Sequence, residues 1–187
     1  MIFEQLFDQK SSTYTYIIAS GEGREALIID PVIEHSDEYS TILKNLDLKL
    51  VKVIDTHIHA DHISALNELN KRTNCIRVMG EKSKSEVIDL RIKDGEKINV
   101  EEVELQAIYT PGHTDCSYSF LMNDRVFTGD TLLINGSGRT DFQNGNAYDA
   151  YDSIFNKLLK LPEKTFVFPA HDYNGKKFST IENEKNN

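Results

Sequence analysis

The sequence predicts one α+β domain, and three observations carry that expectation. Its 187 residues, 39% of them hydrophobic, suffice for one substantial core and are few for two. Short β-branched runs open the chain and recur to its end. Helical periodicity is confined to three stretches between them.

The first strands are expected over 14–19 and 26–30, joined as a hairpin through Ser20-Gly21-Glu22-Gly23. After Pro31, Ser36 is placed to cap a helix whose Tyr39, Ile42, Leu43 and Leu46 share a face. Leu50-Val51-Lys52-Val53-Ile54 reads as a buried strand running straight into a cluster of histidines. A second helix is expected from Asp61, with Ile63, Leu66 and Leu69 on one side, followed by a strand over 75–79. Strands over 103–109 and 117–122 flank Thr110-Pro111-Gly112-His113, and Asn123-Asp124 turns the chain into a strand over 125–128. The clearest helix covers 147–161, with Ala150, Tyr151, Ile154, Phe155, Leu158 and Leu159 as its apolar stripe and Pro162 as its stop. A last strand over 165–168 delivers Pro169-Ala170-His171-Asp172, and the polar residues from 181 to 187 are expected to fray.

Thirty acidic against 21 basic residues leave a net charge of -9, which speaks against nucleic acid or a polybasic membrane surface as partner. An anionic substrate would need a local cationic site. The opening Met1-Ile2-Phe3-Glu4-Gln5 lacks the basic region and apolar run of a secretory signal. No later stretch approaches the roughly 20 apolar residues of a membrane span, so a soluble cytoplasmic protein is the expectation. Cys75 and Cys116 make no disulfide framework and read as buried free thiols.

Five of the six histidines, His57, His59, His62, His113 and His171, fall in loops that follow expected strands; only His35 stands apart. Neutral imidazole and carboxylate suit Zn(II), Fe(II) and Mn(II), and short spacing converges them on one point. In His57-Ile58-His59 a period of two puts both rings on one side. Asp61 alone could be a carboxylate at a helix start, and Asp130 alone a turn residue after Gly129. Neither plain reading explains the whole set.

Thr56-His57-Ile58-His59-Ala60-Asp61-His62, Thr110-Pro111-Gly112-His113, Gly129-Asp130 and Pro169-Ala170-His171-Asp172 resemble, in order, the motifs of the metallo-β-lactamase superfamily. The resemblance spans most of the chain and implies a four-layer αββα sandwich with the site at one sheet edge. In its fullest form it assigns His57, His59 and His113 to one metal, Asp61, His62 and His171 to a second, and Asp130 to both. All seven residue types are present, so the inventory fits a binuclear hydrolase and a mononuclear oxygenase equally.

The segment 127–143, above all Gly138-Arg139-Thr140-Asp141-Phe142-Gln143, resembles that of the persulfide dioxygenases, the glutathione-dependent sulfur dioxygenases. Phe168-Pro169-Ala170-His171-Asp172-Tyr173-Asn174-Gly175 is similar to the same family. This resemblance implies one Fe(II) per subunit held by His57, His113 and Asp130, with His59, Asp61, His62 and His171 as pocket residues around it. Two histidines and one carboxylate arranged facially leave three positions open on octahedral iron. The implied substrates are glutathione persulfide and O2, the products sulfite and glutathione, the setting hydrogen sulfide detoxification, and the assembly a homodimer.

Arg139 and Tyr173 are the catalytic and substrate-binding candidates. Arg139 offers a planar cation to a glutathione carboxylate, its plainer alternative being a loop salt bridge with Asp141. Tyr173 offers a hydroxyl, its plainer alternative being a packing ring with a wet tip. Thr128 reads as support for Asp130. Two departures from the family stand out: Ser137 occupies a place where many members have cysteine, and only 16 residues follow His171. The rival reading, a glyoxalase II type hydrolase of S-lactoylglutathione with two metals, generally carries a C-terminal helical domain that 16 residues cannot supply.

Overall fold

The computed structural model describes residues 1–186. Strands β1 (Ile2–Asp8), β2 (Thr13–Ala19) and β3 (Glu25–Ile29) form an antiparallel ribbon. Helix α1 (Ser36–Asn45) returns the chain so that β4 (Lys49–Ile54) pairs parallel with β3; α2 (Leu66–Thr73) does the same for β5 (Ile76–Gly80). Strand β6 (Leu90–Ile92) completes a six-stranded sheet in chain order. The second sheet runs β7 (Lys97–Val100), β8 (Val103–Tyr109), β9 (Tyr118–Met122), β10 (Arg125–Gly129), each antiparallel to the next. A helical crossover beginning as α3 (Ala147–Tyr151) places β11 (Phe166–Pro169) parallel to β10, and β12 (Ser179–Thr180) and α4 (Ile181–Lys185) follow.

Alternation along the strands sets the layers. Tyr16, Ile18, Leu27, Ile29 and Ile54 meet Leu105, Tyr118, Phe120, Phe127 and Phe168 between the sheets. Ile17, Ile28 and Val53, one residue out of phase, pack outward with Tyr39, Leu43, Leu66 and Leu69 of α1 and α2. On the far side Val126 and Val167 pack with Leu158, Leu159 and Ile181. The result is the αββα sandwich. Parallel strands whose connecting helices lie outside leave their C-terminal ends, and the loops that follow them, at one edge.

Four expectations are corrected. The second helix starts at Leu66, not Asp61, because residues 63–65 bond to the β3–α1 connection instead: Ile33 N–H donates to Ile63 O at 2.9 Å and Ala65 N–H to Pro31 O at 2.8 Å. Ile63 is accordingly exposed. The helix expected over 147–161 widens after Tyr151 into a π turn (Asp152–Lys157) and ends in a 3-10 turn (Leu158–Lys160). Ala150, Leu158 and Leu159 stay buried, whereas Tyr151 and Phe155 face solvent and stack at 4.6 Å. The polar end forms α4, capped by the Thr180 hydroxyl and anchored by buried Ile181; Asn187 lies outside the described residues. Strands β1, β6, β7 and β12 were not anticipated, and the Ser36 hydroxyl donates to Ile33 O rather than capping α1.

Gly80 shows how closely the sheets meet: a Cβ built there would lie 2.0 Å from the Tyr118 ring. Gly80→Ala is expected to cost about 1–3 kcal/mol of stability, the usual range for overpacking, measured by urea unfolding.

His35 ties the first strand to α1, its Nε2 2.9 Å from Asp8 and its Nδ1 2.8 Å from Glu38. Burial opposes the Asp8 charge, but Ser11 and His35 together hold the carboxyl down to about 2 from 3.8. Burial likewise opposes the His35 charge, and the two carboxylates override it, raising the ring above 6.5. The Asp8 contribution is complete above pH 3.8 and lost as pH falls toward 2; the His35 contribution is complete below pH 6.5 and lost as pH rises through its raised value. The stability difference between the wild type and His35→Gln, read by urea midpoints, should therefore be greatest near pH 5–6 and shrink toward pH 9.

Candidate metal centre

Each strand end delivers one part of the centre. Thr56 to His62 follow β4, His113 lies between β8 and β9, Asp130 follows β10 and His171 follows β11. Backbone bonds gather these loops: Tyr118 N–H donates to Thr56 O at 2.9 Å, Ala170 N–H to Gly129 O at 3.0 Å, and Tyr14 N–H to Ala170 O at 2.7 Å. Gly129, at φ +53°, is forced to be glycine by proximity as well, since a Cβ would stand 2.6 Å from the Thr56 hydroxyl.

Beneath the ligands sits Asp30, a residue that sequence reasoning saw only as the end of a strand. It is buried and adopts the left-handed region at φ +50°, which aspartate tolerates better than most side chains. Its Oδ1 accepts from Thr56 N–H at 2.7 Å and lies 3.2 Å from His59 Nε2; its Oδ2 accepts from the Thr56 hydroxyl at 2.9 Å. With its proton given to Asp30, the hydroxyl can only accept from His57 Nδ1, 2.9 Å away. That fixes the tautomer that leaves a lone pair on His57 Nε2. His113 and His171 are set in the same sense by carbonyls, His113 Nδ1 donating to Arg139 O at 2.8 Å and His171 Nδ1 to Ser12 O at 3.1 Å.

The freed Nε2 atoms converge on Asp130. Its Oδ2 is 4.0 Å from His57 Nε2 and 3.5 Å from His113 Nε2, and its Oδ1 is 3.6 Å from His171 Nε2. One ligand atom from each of His57, His113 and Asp130 lies within 4.8 Å of the others; His59, Asp61 and His62 make a second such group, and Asp30, Asp55 and His59 a third. Asp130 Oδ1, His59 Nδ1 and His62 Nε2 are buried without a hydrogen-bond partner. Separations of this kind exceed hydrogen bonds yet suit donors that share a cation about 2.0–2.2 Å from each. The residues present therefore fit a metal.

The electrostatics agree. Burial, then the neighbouring His59 and His113 rings, push the His57 imidazolium well below its usual range, so the ring is neutral and able to ligate. Burial raises Asp130 against the pull of His171 and His113; a cation among these donors would favour its ionised form. For His59 burial works against charge, but Asp30 overrides it and lifts the ring to about 9. Burial lifts the Asp55 carboxyl to about 7 despite the Ser64 hydroxyl bonded to it. Asp61, although burial would raise it, is held well below the carboxylate range by His62 and His171.

A cavity of about 400 Å³ opens over the centre, lined among others by His113, Asp130, Gly138, Arg139, Phe142, His171 and Tyr173. His57 lies below its floor, 1% exposed. The Arg139 guanidinium pairs with Asp141 at 2.7 and 3.0 Å and rests 5.6 Å over Phe142, so both readings of this residue meet in one place. Tyr173 stands 72% exposed at the mouth with its ring stacked on His171. Thr128 donates to Leu132 O, bracing the turn that carries Asp130. Cys75 and Cys116 are buried free thiols.

A sequence profile described as the metallo-beta-lactamase superfamily matches residues 9–89 and 80–171. The mitochondrial persulfide dioxygenase ETHE1 of Mus musculus is 41% identical over 99% of this chain and 74% of its own length. The crystal structure of ETHE1 from Myxococcus xanthus superposes with a TM-score of 0.97 at 48% identity, over 99% of this chain and 82% of that one. The hydroxyacylglutathione hydrolase of Dictyostelium discoideum is 29% identical over 93% of this chain and 68% of its own.

Thr56→Val keeps the volume and removes the hydroxyl between Asp30 and His57. Metal affinity, measured by chelator competition, is expected to fall about 10- to 100-fold, as for other partners that orient a ligand, while Thr56→Ser retains most of it.

Proposed function

The chain belongs to the persulfide dioxygenase family of the metallo-β-lactamase superfamily, and from this premise we propose that it oxidises glutathione persulfide with O2 at a single Fe(II) held by His57, His113 and Asp130. The observation that carries the reading is the convergence of two imidazoles, each with its Nδ1 committed elsewhere, and one carboxylate under a cavity that also presents Arg139 and Tyr173. Bound Fe(II) would supply adjacent open positions for the persulfide sulfur and O2 and the electron path between them.

The protein's own groups do the rest. His57 and His113 offer Nε2 because their other nitrogens are committed to Thr56 and Arg139 O. Arg139 exchanges Asp141 for a glutathione carboxylate, placing the persulfide end over the centre. Phe142 and Leu133 wall the cavity, and Tyr173 offers its hydroxyl at the entrance. His59, Asp61, His62 and His171 are surrounding polar residues in this reading. In the net reaction the outer sulfur gives four electrons to O2 and keeps both oxygen atoms. One water provides the third oxygen as the S–S bond breaks, releasing sulfite, glutathione and two protons.

The second reading, a glyoxalase II type hydrolase, draws on the group His59, Asp61 and His62 for a second metal. It has the weaker support, because similarity to hydroxyacylglutathione hydrolases stands at 29–32% identity against 40–41% for the dioxygenases. Among the described residues no helix is long and apolar enough to cross a membrane. The proposal further treats residues 1–187 as one domain, working in the cytoplasm as a homodimer.

The test is anaerobic Fe(II) loading followed by O2 uptake with glutathione persulfide, beside hydrolysis of S-lactoylglutathione. One iron per chain, O2 uptake and sulfite release are expected; fast thioester cleavage with two metals and no O2 uptake would overturn the reading. Asp130→Ala is expected to abolish iron binding. Arg139→Ala should keep its iron and raise KM about 10- to 100-fold, the scale of one charge-assisted hydrogen bond.

A further inference from the structure

Two of the three proposed ligands are held from one short piece of backbone. The Arg139 carbonyl accepts from His113 Nδ1 at 2.8 Å, and Gly138 N–H donates to the Asp130 carbonyl at 2.8 Å. A carbonyl only accepts, so this contact keeps the His113 proton on Nδ1 and its lone pair on Nε2. Gly138 has no spare room: a Cβ would stand 2.4 Å from Asp130 O and 2.8 Å from His113 Nδ1.

The side chain of the same Arg139 lines the cavity, 64% exposed, against an Asp141 that is 72% exposed. An ion pair so open to water is weakly held, and a substrate carboxylate can take its place. The loop has little slack elsewhere. Leu133 and Gly136 exchange backbone bonds on one side of the pair, and on the other Gln143 Nε2 donates to Ile58 O at 3.1 Å in the histidine loop.

We propose that Gly138 and Arg139 are positioning residues that couple substrate capture to the metal centre, the guanidinium gripping the substrate carboxylate while the same backbone sets the aim of His113 and Asp130. This rests on the ligand set and substrate class proposed above. It adds that ligand geometry at the metal responds to occupancy of Arg139. Because coupling between two binding events is reciprocal, metal loading and substrate affinity are linked through the same segment.

S-Methylglutathione separates the steps, since it carries both carboxylates of glutathione but no thiol to bind metal. With Co(II) as the metal probe in the full chain, titration should change the visible d–d bands of the wild type in step with binding measured by calorimetry. Arg139→Ala should hold Co(II) within about twofold of the wild type, bind S-methylglutathione at least tenfold more weakly, and leave the bands unmoved even at saturation. Gly138→Ala should lose at least tenfold in Co(II) affinity while its metal-free form binds S-methylglutathione within about threefold of the wild type. Wild-type bands that stay still at saturation, or that still move in saturated Arg139→Ala, overturn the coupling alone, and both outcomes are readable even if Gly138→Ala fails to fold. A folded Gly138→Ala with wild-type Co(II) affinity overturns it as well. Failure of the wild type to bind S-methylglutathione at all overturns the substrate reading, and the coupling with it.

Discussion

The carboxylate of Asp30 is the contact on which the candidate centre rests. From the end of β3 it takes the Thr56 N–H, the Thr56 hydroxyl and the His59 ring in one buried cluster. It thereby fixes how the chain leaves β4, and through Thr56 which nitrogen of His57 is bare. A carboxylate buried this deeply is costly unless each acceptor site is used, and here hydrogen bonds from three donor groups offset the cost. The sandwich supplies the rest of the geometry, because its parallel pairs β3–β4 and β10–β11 end at the same edge. The first sheet brings the His57 loop, the second brings His113, Asp130 and His171, and Tyr118 N–H to Thr56 O joins the two.

Much of this was legible in the chain. Apolar patterning located β2, β3, β4, β5, β8, β9, β10 and β11, and the position of each histidine after a strand located the edge. The failures have local causes. The stretch after Asp61 has helical spacing, yet it is claimed by bonds to residues 31–33, a tertiary contact that no local pattern announces. The stripe over 147–161 assumed 3.6 residues per turn, and a π turn widens that period and moves Tyr151 and Phe155 out of the core. Asp30 was missed because its signal, an aspartate between a strand and Pro31, is also that of any turn. The roles of the Arg139 carbonyl and the Gly138 N–H belong to the main chain, where side-chain identity is silent. The glycine at 138 was the available clue, as it leaves room for that approach.

The chain carries a net charge of -9, so an anionic substrate meets an unfavourable surface and needs local compensation. Arg139 is the arginine among the cavity-lining residues, and it is held ready by Asp141 rather than buried. This arrangement keeps the guanidinium in place at little energetic cost, and under the proposed function a substrate carboxylate would replace an equivalent one. The same logic operates below, where Asp130 is left with an unpartnered oxygen among imidazoles instead of being satisfied by a hydrogen bond. Under the proposed function both sites would keep a binding capacity in reserve, the upper one for a carboxylate and the lower one for a cation.

Asp30 also separates the two histidines of His57-Ile58-His59, which the sequence pattern treats alike. It reaches His57 only through Thr56, and the relay leaves Nε2 bare while burial and the neighbouring histidines disfavour the charged ring. It faces His59 directly, and the ring is driven toward its protonated form. A proton on both nitrogens leaves no lone pair for a metal. A second cation at His59, Asp61 and His62 would have to displace a proton that Asp30 favours on His59, and would meet the unpartnered His59 Nδ1 and His62 Nε2. A cation at His57, His113 and Asp130, the set proposed above, would meet imidazoles whose tautomers are already set and a carboxylate with a buried oxygen unpaired. Asp30 thus gives the two histidines of the motif different surroundings, His57 reached through the Thr56 hydroxyl and His59 met directly.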